Sequence, residues 1–308
     1  MIKTMTTVAV ALMTTVVALP ALADAERPQV CLVMKSLSNE FFKDMSVGAE
    51  EYAAKRADFD LKMVGMQSET DFDAQVNAMD TCIVEQKDII VLAPADSRAM
   101  VGPAKRAVDA GITVVNFDVP LDEEAKAQAG LKLAFVGPDN AAGAKMAGDK
   151  LAEVLGKGAK VVIIEGNPGA DNAKQRKVGF DAAIAEHGLE LLDSRTAHWE
   201  TEEANTVFTT MLTAHPDVQG VMAANDSMAL GVVKAIEAAG LTGKIQVVGF
   251  DNIPAIRPMV EDGRVLATVD QFGRDMAADA INRGIESFRS GTPLEGWVTT
   301  EIKLVTKN

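Results

Sequence analysis

Residues 220–231 read GVMAANDSMALG, and residues 247–251 read VVGFD. Each is an apolar run that ends abruptly in polar side chains, and the first leads straight into a helical pattern. In an open parallel sheet, the carboxyl ends of the strands face the ligand crevice. Asn225 and Asp251 therefore read as two groups aimed at one cleft from neighbouring strands. No nucleophile–base set or metal-ligand spacing accompanies them in the sequence, so the cleft reads as a binding site.

The same rhythm extends outward in both directions. Apolar runs at residues 30–34, 61–64, 89–92 and 113–117 alternate with helical patterns near 41–57, 71–85 and 99–110. A second series has runs at 133–136, 161–165, 189–194, 218–223 and 245–250, with helices near 140–155, 172–186, 202–214 and 226–239. Near-continuous apolar strands separated by helices mean parallel sheets covered on both faces. The fold class is α/β, with two doubly wound lobes. The Ala/Glu/Lys-rich stretch 122–130 is a candidate boundary between them. A last helix near 273–289 and one strand near 298–305 complete the chain, and their lobe is left open.

The chain opens with Lys3, an apolar and threonine-rich stretch at 8–19, and the small-residue run Pro20-Ala21-Leu22-Ala23. This is the pattern of a secretory leader cleaved after Ala23, with Ala25 as the alternative site. The stretch is shorter than the roughly 20 apolar residues a spanning helix needs. An exported, periplasmic protein is expected. Its formal net charge of −14 argues against nucleic acid or an anionic membrane surface as partner. The two cysteines, Cys31 and Cys82, fall on an apolar strand and an apolar helix position. They are expected as two buried thiols rather than a disulfide.

Three further strand ends carry chemistry. Residues 35–42 read KSLSNEFF: Lys35 and Asn39 can address hydroxyls, while Phe41 or Phe42 can stack on the C–H face of a sugar. Asp118 ends the run 113–117 and could accept hydrogen bonds from vicinal hydroxyls. After Glu165 comes GNPGADNAKQR, glycine-containing but with neither a P-loop ending nor a dinucleotide fingerprint. Lys174 and Arg176 lie two apart there, so on a helix they point different ways and one of them reaches the cleft. His187, His198 and His215 show no ligand spacing, and no metal or cofactor is expected.

Taken together, these residues resemble the ribose-binding group of type I periplasmic substrate-binding proteins, which serve sugar ABC importers. The stretches that carry the resemblance are 36–42, 94–97, 139–148, 179–180, 212–217, 225–231 and 247–251. It implies a three-strand hinge, with residues 24–138 plus 272–300 in one lobe and 139–271 plus 301–308 in the other, after a leader at 1–23. It implies ligand contacts from Asn39, Phe41, Phe42, Asp118, Trp199, Asn225, Phe250, Asp251 and Gln271. Val119 and Lys174 stand where ribose binders carry arginines, and Lys35 replaces a small hydroxyl residue. Lys35 and Lys174 are accordingly expected among the contacts, balanced by Asp118 and Asp251. The implied ligand is a small neutral sugar or polyol other than ribose. The implied partners are a membrane permease and, as a further reader of the closed form, a chemoreceptor. A monomer is expected.

Two other classes compete. A sugar-responsive transcription regulator would need a DNA-binding domain where the leader lies. An exported carbohydrate-active enzyme could use Asp118 and Asp251 as an acid–base pair.

Overall fold

Parallel pairing of the apolar runs builds two sheets of six strands in the computed structural model, which describes residues 27–307. The leader expected at 1–23 lies outside the described residues. The first sheet contains β1 (Gln29–Ser36), β2 (Asp60–Met66), β3 (Ile89–Leu92), β4 (Thr113–Phe117), β5 (Phe135–Gly137) and β11 (Trp297–Thr299), in the order β11-β5-β4-β3-β1-β2. The second contains β6 (Lys160–Glu165), β7 (Glu190–Thr196), β8 (Gly220–Ala223), β9 (Gln246–Val248), β10 (Ala267–Asp270) and β12 (Lys303–Thr306), in the order β12-β10-β9-β8-β6-β7. The two orders are equivalent, so the lobes repeat one topology. Among the described residues only β12 runs antiparallel to its neighbour, β10.

The first lobe's helices are α1 (Glu40–Ala54), α2 (Phe72–Val84), α3 (Val101–Asp109), α4 (Glu123–Gln128) and α10 (Gly273–Ser290). The second lobe's are α5 (Asn140–Leu155), α6 (Asp171–His187), α7 (Thr201–Ala214), α8 (Asp226–Ala238) and α9 (Arg257–Asp262). Strands buried on both faces need helices on both sides, and β3 and β8 are buried along their whole length. α10 follows β10 in the chain yet packs on α1, β3 and β4 of the first sheet. The chain therefore passes between the sheets after β5, after β10 and between β11 and β12.

Three sequence expectations are corrected. Residues 122–130 are not an interlobe boundary: Asp122 caps α4 by accepting from Ala125 N–H, with Glu123 and Glu124 in the first turn and Lys126 in the last. That charge order suits a helix dipole, and α4 stays within the first lobe. The single strand expected near 298–305 is two strands, β11 and β12, one in each sheet. Cys31 and Cys82 are joined in a disulfide, with Cα atoms 6.3 Å apart. The α2-facing side of β1 and the apolar face of α2 bring the two fully buried positions into register.

Candidate functional site

A doubly wound sheet opens its crevice where successive connections run to opposite faces, at the carboxyl ends of the strands. In both lobes that point falls beside the central strand, at the ends of β1 and β3 in the first and of β6 and β8 in the second. Lys35, Asn39, Phe41, Phe42 and Asp118 from the first lobe meet Asn172, Arg176, Trp199, Asn225, Asp251 and Gln271 from the second. They line one narrow cavity between the lobes. The lobes also touch directly: Ser227 Oγ donates to Asn39 Oδ1 at 3.2 Å, and Glu69 N–H donates to Glu200 Oε1 at 3.2 Å. The cleft is closed.

Each site group is positioned by local structure. Asn39 caps α1, its Oδ1 accepting from Phe41 N–H at 3.1 Å. Asn225 does the same for α8 through Met228 N–H at 2.9 Å. Asp118, Trp199 and Asp251 sit at positive φ of 62°, 72° and 120°. Non-glycine residues in such conformations cost about 1–3 kcal/mol each and persist where the surroundings over-determine them. The Asp118 and Asp251 backbones are held by N–H bonds to Val136 O and Val269 O. Gly166 admits the Trp199 indole against the end of β6; a Cβ there would lie 2.1 Å from the ring.

The charges are arranged in two clusters. Lys35 Nζ lies 2.8 Å from Glu69 Oε2, and 5.2 Å from the Phe42 and the Trp199 ring centroids. Glu69 Oε1 accepts from Asn39 Nδ2 at 3.2 Å, so one buried carboxylate fixes two site donors. In the second lobe the Arg176 guanidinium lies over Phe250 at 3.7 Å and donates to Asn140 Oδ1 and the Ala224 carbonyl. Asp251 Oδ1 accepts from Gln271 Nε2 at 2.7 Å and stands 3.6 Å from Arg176 Nη1.

Burial sets the protonation. It pushes Asp118 up to about 6, opposed by the Lys35 and Arg176 charges. It pushes Asp251 up to about 7, opposed chiefly by Arg176. Asp226, buried behind Asp251 and accepting from Thr268 Oγ1, is raised well above its ordinary value by burial and by Asp251. Burial likewise raises Glu69 despite Lys35. Lys35 and Arg176 thus stand among four carboxylates, Asp118 and Asp251 in the lining and Glu69 and Asp226 behind it, and the site is not electropositive.

Several buried polar atoms of the cleft have no partner among the described residues: both Asp118 carboxylate oxygens, Gln271 Oε1, Asn172 Oδ1 and Trp199 Nε1. Buried polar groups are costly unless paired. Four acceptors and one donor in a cavity also lined by aromatic rings fit a molecule that offers several hydroxyls and an apolar face.

Two placements depart from the sequence expectation. Lys174 does not reach the cleft: its side chain is 54% exposed and pairs with Asp171 at 3.8 Å. Asn172 and Arg176 lie one turn apart on α6 and share the inward face, leaving Lys174 on the outer one. Phe250 does not border the cavity; it is fully buried and forms the floor beneath Arg176. The remaining expected residues, namely Lys35, Asn39, Phe41, Phe42, Asp118, Trp199, Asn225, Asp251 and Gln271, are brought together. Glu69 and Asn172 were not singled out from the sequence. The 172/176 spacing could have found Asn172, whereas Glu69 stands in a polar loop with no periodic signal.

The sequence profile of the periplasmic binding protein domain matches residues 30–284. The chain belongs to the periplasmic binding proteins. This binding protein is 45% identical over 285 residues to the D-ribose/D-allose-binding protein of Pseudomonas aeruginosa, covering 91% of this chain and 89% of that one. It is 35% identical to the D-allose-binding periplasmic protein of Escherichia coli, covering 90% of each. A crystal structure of an ABC transporter periplasmic solute-binding protein from Actinobacillus succinogenes with bound D-allose superposes with a TM-score of 0.86 at 39% identity, covering 91% of this chain and 98% of that one. Membership makes the interlobe cleft the ligand site of a type I periplasmic binding protein.

Proposed function

We propose that the cleft takes a neutral aldose of the D-allose or D-ribose kind. The protein is the periplasmic solute-binding component of an ABC importer, binding a monosaccharide or small sugar alcohol between its lobes. The observation that carries the aldose reading is the set of unpartnered buried acceptors on Asp118, Asn172 and Gln271, in a cavity that Trp199 and Phe42 also line. The excess of carboxylates over cations disfavours sugar acids and phosphates. Relatives bearing ribose and allose in their names support the same choice over cyclic polyols.

Binding favours closure because only the closed form lets both lobes contact one ligand. The membrane permease, and a chemoreceptor where one is present, would read that form, and the protein acts as a monomer. The leader directs export and is removed after Ala23. Asp118 and Asp251 serve as hydroxyl acceptors and not as a catalytic pair, so the bound sugar is released unchanged.

Titration calorimetry on ligand-stripped protein tests this with D-allose, D-ribose, myo-inositol and D-gluconate. At about 0.7 kcal/mol per non-hydrogen atom, a hexose with about twelve such atoms reaches roughly 8 kcal/mol. That corresponds to a Kd of about 1 μM. Tighter binding of gluconate, or no heat with either aldose, would overturn the reading.

A further inference from the structure

We propose that Ser97 of the first lobe supplies, across the cleft, the N-terminal cap that α6 of the second lobe lacks. Closure would then complete the helix that carries Asn172 and Arg176, and Ser97 is a positioning residue for them. The inference goes beyond the proposed ligand, although two of its probes rest on that reading.

α6 begins poorly on its own. Its N-cap position is Ala170, which has no side-chain acceptor and makes no cap hydrogen bond. Alanine is among the weakest residues at this position. The N–H of Asp171, the first residue of the helix, instead donates to Ser97 Oγ at 2.8 Å, although the two are 74 residues apart. The contact is reciprocal, because Ser97 N–H donates to the Gly169 carbonyl at 3.0 Å.

Ser97 is presented rigidly. Its carbonyl accepts from Asp122 N–H, within its own lobe, while its amide and hydroxyl oxygen turn to the other lobe. Its neighbour Asp96 is pinned by accepting from Arg98 and Ala99 N–H groups at 2.9 and 2.7 Å. Gly169 makes the approach possible: a Cβ on it would stand 2.2 Å from Asp96 Oδ2. Ser97 is 1% exposed, while its partners Gly169 and Asp171 are half-buried. Asn172, the next residue of α6, and Arg176, one turn beyond it, enter the cleft.

In the open form these bonds cannot exist, and the first turn of α6 must be satisfied by water. Closing without a ligand gains the cap but leaves the buried acceptors unpartnered. Closing on a ligand gains both, so the cap favours the closed form.

The test uses the full mature chain with Ser97→Ala and Gly169→Ala. Stopped-flow dissociation of D-allose and D-ribose should be about fivefold faster in Ser97→Ala, the size of a lost cap. Gly169→Ala should show at least that effect, because it wedges the lobes apart while keeping every hydrogen-bonding group. A dye pair on Val84→Cys and Val178→Cys, exposed positions on α2 and α6, reads closure without sugar. There the closed-to-open ratio should fall about fivefold in Ser97→Ala, while the thermal midpoint of the open protein stays unchanged. If wild-type protein binds neither sugar, the ligand assignment fails and the sugar-free ratio still decides the cap. Equal ratios in Ser97→Ala and wild type would overturn it. So would an equal loss of thermal midpoint in free and sugar-bound protein, which would assign Ser97 a role inside its own lobe.

Discussion

Lys35 Nζ and Glu69 Oε2 stand 2.8 Å apart, with side chains 3% and 0% exposed. Neither charge is solvated, so each is the other's main support in a low-dielectric setting.

Breaking such a pair strands a charge and typically costs about 3–5 kcal/mol, whereas replacing both partners is far milder. Lys35→Met should therefore lower ligand-free stability by about 3 kcal/mol. Lys35→Met with Glu69→Leu should recover most of that loss, and neither variant should retain normal sugar affinity. Urea unfolding and calorimetry measure the two effects separately. A single-variant loss below about 1 kcal/mol, the range of an exposed pair, would mean that water reaches Glu69.

The raised carboxylates give pH effects of opposite sign on stability and on binding. Asp118 and Asp251 have folded-state values near 6 and 7, above their ordinary range. The closed form therefore holds protons that the unfolded form has released, so its stability falls as pH rises from the ordinary carboxylate range of about 4 up to these folded-state values and levels off above them. A hydroxyl donor prefers the ionised carboxylate, so sugar affinity should rise over the same interval. Thermal midpoints and Kd values between pH 5 and 8 should move in these opposed directions. Asp118→Asn should flatten the part of the profile that lies below about 6, and an unflattened profile would remove Asp118 from the account.

The two cations near the start of α6 should behave differently. Arg176 is buried against Phe250 and lies 3.6 Å from Asp251, whereas Lys174 is half exposed. Arg176→Met should weaken sugar binding by about a hundredfold, the scale of charged hydrogen bonds lost from a buried site. Lys174→Ala should change it by less than about twofold. The reverse ranking in a titration would move the site's cation back to Lys174.

The disulfide should matter for the lobe and not for the ligand. It joins positions 51 apart in the sequence, for which chain entropy predicts about 4 kcal/mol of stabilisation. Cys31→Ala with Cys82→Ala should lower the urea midpoint accordingly while leaving sugar affinity nearly unchanged. A large change in Kd would couple β1 to the cleft more tightly than its contacts suggest.

The strands were legible in the sequence because burial on both faces leaves apolar runs. Asn225 and Asp251 stood out because such runs end in them. The phase of α6 was not legible: its N-cap is an alanine, so no side chain marks where the helix starts, and Lys174 could not be told from Arg176. Glu69 was invisible for a related reason. It lies among Ser68, Thr70 and Asp71 in a polar loop, and only folding shows that this one acid is fully buried. The cysteine pairing depends on the register of α2 against β1, which apolar periodicity leaves open. The split between β11 and β12 spans three residues, too few to interrupt a pattern visibly.

The late return of α10 to the first sheet bears on when this chain can fold. Gly284 and Ile281 of that helix belong to the core over β3 and β4, with Gly284 packed against Ile89 and Val115. The first lobe therefore stays incomplete while the whole second lobe is being synthesised. A nascent chain built this way offers no finished amino-terminal domain to jam a translocation pore, even though that end of the chain emerges first.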